Sequence, residues 1–173
     1  IQRTLLVTVL LCLVCSVIVA GSAVSLRDKQ NENKANNMRI AVLQAAGLYD
    51  ANKTVEEQFA NIQTRIVNIK EGRFASTEEL AELKAAGFSL ENFDQRKASK
   101  KADFSRVLKG SEDIASIKRV TEFANAYVIE KDNQIDSIVL PIHGYGLWST
   151  LYGFIALESD LNTVAGLGFY EHA

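Results

Sequence analysis

The sequence predicts an α+β protein: one N-terminal transmembrane helix, then a soluble domain with an antiparallel β-meander and packed helices. Three observations predict it. Leu5–Leu26 is a run without a single charge. Two capping boxes, T-x-x-E at Thr54–Glu57 and S-x-x-E at Ser76–Glu79, open helices in the middle of the chain. From Val120 onward the chain turns to short β-branched and aromatic runs divided by tight connections.

The uncharged run is LLVTVLLCLVCSVIVAGSAVSL, bracketed by Arg3 and Arg27. A bilayer crossing needs about 20 apolar residues. A cleaved signal peptide is the rival reading, and Ala20-Gly21-Ser22-Ala23 loosely fits its cleavage site. Its apolar core is normally about 7–15 residues, so the length favours a retained anchor. Cys12 and Cys15 are the two cysteines of the chain. Their i, i+3 spacing puts them on one helix face, where they read as small lipid-embedded residues rather than as a redox or metal pair. Gly21, Ser22 and Ala23 offer a close-packing face for another helix.

After Leu26 stand all 21 acidic residues and 18 of the 19 Lys and Arg, for a net charge of −3. That balance argues against a nucleic-acid surface, which is normally basic. Arg27, Lys29 and Lys34 outnumber Arg3 at the ends of the run, and the positive-inside rule read literally places the domain in the cytoplasm. The chain opens at Ile1 without an initiator Met, so upstream basic residues could change that count.

Three segments follow: an anchor over 1–26, a stalk and connecting helix over 27–48, and the soluble domain over 49–173. Arg27–Asn37 is polar and continues the helix. Met38–Ala46 is apolar at helical spacing and Gly47 is its C′ residue. Thr54 opens a helix carrying Phe59 and Ile62, Arg65–Lys70 is a strand, and Glu71-Gly72 turns the chain. Ser76 opens a helix that stops at Gly87. Asn92–Lys101, NFDQRKASKK, reads as a solvated basic helix face, and Ser105–Lys118 as irregular chain or short helix.

Ala126–Glu130 and Ile135–Ile142 form a hairpin about Asp132-Asn133, with Pro141 marking an edge or a strand exit. Gly153–Glu158 alternates Ile155 and Leu157 on one face with Phe154 and Ala156 on the other. Thr163–Glu171 is the last strand. Nothing after it pairs with it or closes the layer, so further residues are expected beyond Ala173.

Between the strands lies His143-Gly-Tyr-Gly-Leu-Trp-Ser149. Gly144 and Gly146 are expected to permit positive φ and close approach of the backbone to a ligand. Leu147 and Trp148 are candidates to cover a flat ring. From spacing alone, a tight turn with a core tryptophan is the simpler reading. No spacing of His, Cys, Asp and Glu resembles a metal site, and neither a nucleophile elbow nor a Walker loop is present.

RDKQNENK after the anchor, NFDQRKASK in the middle and VLPIHGYGLWSTLYGFIALESDLNTVAGLGFYE at the end together resemble one family. It is the C subunit of the bacterial sodium-translocating NADH:quinone oxidoreductase (Na+-NQR). The likeness is loosest around Leu48–Glu91 and Phe104–Val120. A more distant similarity reaches the G subunit of the Rnf electron-transfer complex and FMN-binding domains generally.

The resemblance implies a flavoprotein that carries FMN, attached through its phosphate to a threonine in an S-G-A-T-x-T motif. It implies a single-pass protein of the bacterial inner membrane with its domain on the periplasmic side, against the literal charge count. It implies partners, the other subunits of a six-subunit membrane complex that oxidises NADH, reduces ubiquinone and moves sodium. Under it, 49–173 is the N-terminal part of an FMN-binding domain, and the character of the glycine corner, more than a residue-level motif match, makes Gly144, Gly146, Leu147 and Trp148 the candidates to line the flavin. No S-G-A-T-x-T occurs here, so the flavin-bearing threonine is expected beyond Ala173 and is none of Thr4, Thr8, Thr54, Thr64, Thr77, Thr121, Thr150 or Thr163. The alternative is a single-pass envelope interaction module, pilin-like and without cofactor.

Overall fold

The computed structural model describes residues 2–91 and 93–172. Ile1, Asn92 and Ala173 lie outside the described residues, and with them the first residue of the expected basic stretch and the outermost residues of the expected anchor and domain. The chain falls into two units, Ile1–Asn37 and Met38–Ala173.

The first unit is helical. Helix α1, Gln2–Ala45, begins here and carries the uncharged run, long and apolar enough to cross a membrane. At about 1.5 Å per residue the run is about 33 Å long, close to the ~30 Å hydrocarbon core of a bilayer. Its Leu, Val and Ile side chains are exposed throughout. The Thr8 hydroxyl donates to the Thr4 carbonyl at 2.9 Å and the Ser16 hydroxyl to the Cys12 carbonyl at 2.7 Å. Each hydroxyl is thus satisfied within its own helix, an arrangement that hydrocarbon surroundings would require.

The second unit starts with the last turns of α1, where Ala41, Val42, Leu43 and Ala45 are buried. Gly47, at φ 69°, ends the helix as expected: Leu48 N donates to Leu43 O at 2.8 Å and Gly47 N to Gln44 O at 3.1 Å. That is a Schellman cap. Helix α2, Val55–Phe59, carries the expected Thr54–Glu57 capping box. It stops before Ile62, which instead begins β1, Ile62–Asn68, because the whole of that strand pairs antiparallel with β5, Phe123–Lys131. A short β2, Arg73–Phe74, pairs with β1. Helix α3, Thr77–Ala85, has the Ser76–Glu79 capping box and a second Schellman cap at Gly87.

Helix α4, Gln95–Ala98, is one turn, capped by Asp94 accepting from Lys97 N at 3.1 Å. The stretch that sequence alone left irregular forms a two-stranded ladder, β3 Ser105–Val107 with β4 Arg119–Thr121, and a loop between them. Then come β6, Gln134–Tyr145, β7, Thr150–Glu158, and β8, Val164–His172. The main sheet runs β2-β1-β5-β6-β7-β8 with antiparallel pairing throughout, so the expected meander and α+β class are both present. Among the described residues β8 pairs only with β7 and lies at the sheet edge.

The helices pack on one face of this sheet. The end of α1 and α2 meet Ile62, Tyr127, Val139, Phe154 and Ala156 in one cluster. Helices α3 and α4 meet Ile66 and Phe123 in another. Ile62 and Ile66, at i and i+4 of β1, share one face of the strand, so the clusters lie side by side. Phe154 and Ala156 are the buried side of β7, as their alternation predicts. Gly166 on β8 lies under the Ala45 carbonyl, where any Cβ would collide with the helix backbone.

Candidate functional site

The β6–β7 hairpin builds the site. Ladder pairs His143↔Tyr152, Gly144↔Leu151 and Tyr145↔Thr150 carry the strands further than the sequence suggested. His143–Tyr145, expected as part of a loop, are therefore strand, and the turn proper is Gly146–Ser149, closed by Gly146 N donating to Ser149 O at 2.8 Å.

Pro141 lies inside β6 rather than at its exit. It pairs with β7, but the β5–β6 ladder has already stopped at Tyr127↔Val139. Proline brings no N–H to a ladder, so this stretch of β6 is locally an edge. The β3–β4 loop occupies that edge further on: Tyr145 N donates to Ala115 O at 2.8 Å.

The four candidate residues share this tip, and their roles differ from expectation. Gly144 and Gly146 are not among the positive-φ residues. Small size serves packing at Gly146, whereas Gly144 has room for a Cβ at ordinary contact distance. A Cβ on Gly146 would lie 3.1 Å from Leu151 Cδ1 and 3.2 Å from Ser149 O, and one on Gly144 would touch Ala115 Cβ at 3.4 Å. Leu147 is 86 % exposed and Trp148 88 %, so the tryptophan is not a core residue. The hairpin presents an indole and a branched aliphatic side chain side by side, uncharged, on a turn fixed by its own hydrogen bond.

Behind the tip is a group that sequence reasoning missed. His143, Tyr152 and Glu171 form a row across β6, β7 and β8. The Arg96 guanidinium carbon lies 3.4 Å from the Tyr152 ring centre, and the Tyr152 ring stacks on His143 with centroids 5.8 Å apart. Arg96 donates to both Glu171 oxygens, at 3.0 and 2.7 Å, and to the Tyr170 hydroxyl at 3.4 Å. A register shift between Tyr152 and Gly153 gives β8 one extra residue, and Tyr170 and Glu171 both reach Arg96.

Asn125 on β5 positions α4 by donating to Phe93 O at 2.8 Å, and Arg119 holds its far end by donating to Ser99 O at 3.1 Å. The solvated-face reading of the basic stretch thus holds for Lys97 and Lys100 but fails for Arg96, which turns inward. Lys101 also folds back, onto Ala86 O at 2.8 Å and the Phe88 ring.

Electrostatics follow burial. Burial, helped by the Arg96 charge, holds the His143 imidazole below its ordinary pKa. Burial disfavours the Arg96 cation, but the Glu171 hydrogen bonds and neighbouring groups more than offset that and raise its pKa. The Tyr170 hydroxyl is pushed up by burial against the pull of Arg96. Among the described residues no three His, Cys, Asp or Glu side chains are grouped to hold a metal.

No family model matches the chain. The C subunit of the Na(+)-translocating NADH-quinone reductase of Pseudomonas aeruginosa is 42 % identical over 174 residues, covering 98 % of this chain and 63 % of the relative. The Vibrio alginolyticus C subunit is 40 % identical over 172 residues, covering 99 % and 63 %. The chain thus spans about 63 % of the length of these curated relatives. Among solved structures, the crystal structure of Shewanella oneidensis NqrC superposes with a TM-score of 0.66 at 31 % identity, over 82 % of this chain and 61 % of that one. The Parabacteroides distasonis C subunit, at 22 % identity and TM-score 0.56 over 86 % of this chain and 58 % of that one, shares the fold. Over nearly all of its length, this chain is homologous to the C subunits of the Na(+)-translocating NADH-quinone reductases.

Proposed function

We propose that this chain belongs to a flavin-carrying electron-transfer subunit of a respiratory complex that oxidises NADH, reduces a quinone and exports sodium. The carrying observation is the homology of about 40 % identity along the whole chain to subunits bearing that complex's name. The helix α1 run would hold the subunit in the bacterial inner membrane among the other subunits, with the domain on the periplasmic side as the family resemblance implies.

The hairpin tip fits a flavin ring. Trp148 offers an exposed π-face, Leu147 an apolar cover, and neither needs to move from a packed core to do so. A bound FMN supplies the redox chemistry, taking up and passing on electrons. The chain's part is positioning and tuning. The Gly146–Ser149 hydrogen bond holds the tip, Leu151 packs under Gly146, and the Arg96–Tyr152–Glu171 group stiffens the strands behind it. Attachment through a threonine beyond Ala173 would let such a small platform suffice, because a covalent tether removes most of the entropic cost of binding.

The test is covalent flavin on the natural-length subunit, produced with a flavin-attaching enzyme and run on a denaturing gel under ultraviolet light. A fluorescent band at the subunit's mass supports the carrier reading. A dark band, with an intact mass equal to the bare polypeptide, replaces it with a cofactor-free envelope interaction module.

A further inference from the structure

The three most exposed large apolar side chains among the described residues are Ile114, Trp148 and Leu147, at 94, 88 and 86 %. Each is more exposed than any large apolar side chain of the uncharged α1 run. Ile114 is remote from the other two in sequence, yet the fold brings its loop to the same hairpin. Ala115 O accepts from Tyr145 N at 2.8 Å, and Ala115 Cβ faces Gly144.

This loop is held in order by its own chemistry. Asp113 accepts with one oxygen from Ile117 N at 2.7 Å and with the other from Lys118 N at 2.8 Å. Glu112 N and Asp113 N donate to Lys109 O, and Arg106 pairs with Glu112 at 2.9 Å. Ser116 and Lys118, neither of them glycine, stand at φ 52° and 65°. Left-handed non-glycine residues cost free energy and persist where their surroundings fix them. The chain therefore accepts strain in a rigid loop that displays an isoleucine to solvent.

With Tyr145, itself 60 % exposed and bonded to Ala115 O, Ile114, Leu147 and Trp148 offer an uncharged, partly aromatic surface suited to the face of a flat ring. We infer that the Lys109–Lys118 loop is a second wall of the flavin site, with Ile114 shielding the ring and Asp113 as the positioning residue that holds the loop. This rests on the flavin reading above and goes beyond it by assigning a segment that lies 30 or so residues before the hairpin.

The test uses the natural-length subunit with its attached flavin and reads iodide quenching of flavin fluorescence, together with the flavin absorption spectrum. Ile114→Ser should raise the quenching constant severalfold and leave the melting temperature unchanged, because the side chain makes little packing contact. Asp113→Ala should raise it as well, and Asp113→Asn, which keeps one acceptor, should raise it less. Ile69→Ser, an exposed apolar residue at the end of β1, is the control and should change nothing. Wild-type quenching in Ile114→Ser, with increased quenching in Trp148→Ala, would overturn the second wall and leave the flavin site standing. Loss of Ile114→Ser from the assembled complex with unaltered flavin shielding would also overturn it, by showing that Ile114 meets a protein partner. A natural-length subunit without covalent flavin would remove both readings at once.

Discussion

Arg96 and Glu171 form a two-point ion pair, at 3.0 and 2.7 Å, while the same guanidinium lies flat on Tyr152. One side chain thereby ties a single-turn helix to the last two strands of the sheet. Replacing Arg96 by Leu would leave a half-buried carboxylate without its guanidinium and uncover Tyr152. Half-buried, bidentate pairs fall between exposed pairs and fully buried ones, so the cost is about 1–3 kcal/mol. For a domain of this size that is roughly a 2–10 °C fall in Tm. Arg96→Lys should recover only part of it, because lysine keeps the charge but not the planar fork. Thermal melting of the two variants checks this, and equal stability of Leu, Lys and Arg at the position would refute it.

Two glycines of β8 make a matched pair. A Cβ on Gly166 would collide with the Ala45 carbonyl, whereas one on Gly168 would meet nothing within 4 Å. Gly166→Ala must push the end of α1 away from the sheet, at a cost of about 1–3 kcal/mol as for other overpacked sites. Gly168→Ala should be neutral or slightly stabilising, since alanine restricts the unfolded chain more than glycine does. Denaturant midpoints for the two variants should separate clearly.

At the hairpin, Gly146→Val would drive side-chain atoms into Leu151 and Ser149 O, which already stand at 3.1–3.2 Å from an added Cβ. The turn would shift, and Leu147 and Trp148 with it. The expected result is an altered flavin spectrum and potential with normal membrane insertion. Gly144→Ala, whose Cβ meets Ala115 only at ordinary contact distance, should leave both unchanged. A Gly146→Val subunit with a wild-type flavin spectrum and potential would count against the site.

Acid should act on the α3 cap. Hydrogen bonds from Arg73 first, then from Ser76 N and Asn68, hold the Glu79 carboxylate at about 2, below its ordinary 4.5. The folded pKa is below the unfolded one, so the unfolded chain binds the extra proton. Glu79 therefore contributes stability in full above about pH 4.5 and loses it as pH falls toward 2. Glu79→Gln should lower stability at neutral pH and flatten the curve between those limits. Denaturation midpoints at a series of pH values would show a parallel curve instead if Glu79 carried no part of the acid response.

Local chemistry made much of this protein readable in advance. Capping boxes at Thr54 and Ser76, terminating glycines at 47 and 87, and the alternation of Phe154 and Ala156 are each decided within a few residues, and all stand in the structure. The hairpin was legible in outline, and its pairing arithmetic could have placed His143 opposite Tyr152. Arg96 was not legible, because a basic residue in a basic stretch looks solvated until its distant partner Glu171 is known.

By itself the sequence determined the uncharged helix, the antiparallel meander and the candidate tip Gly144–Trp148, because hydrophobic periodicity and turn chemistry act over short range. Only the tertiary structure decided which way those residues serve. It put Trp148 in solvent rather than in the core, turned Gly146 from a source of positive φ into a packing contact, and brought the strained Asp113 loop onto the edge of β6. Those outcomes depend on contacts between segments remote in sequence, which no local pattern encodes.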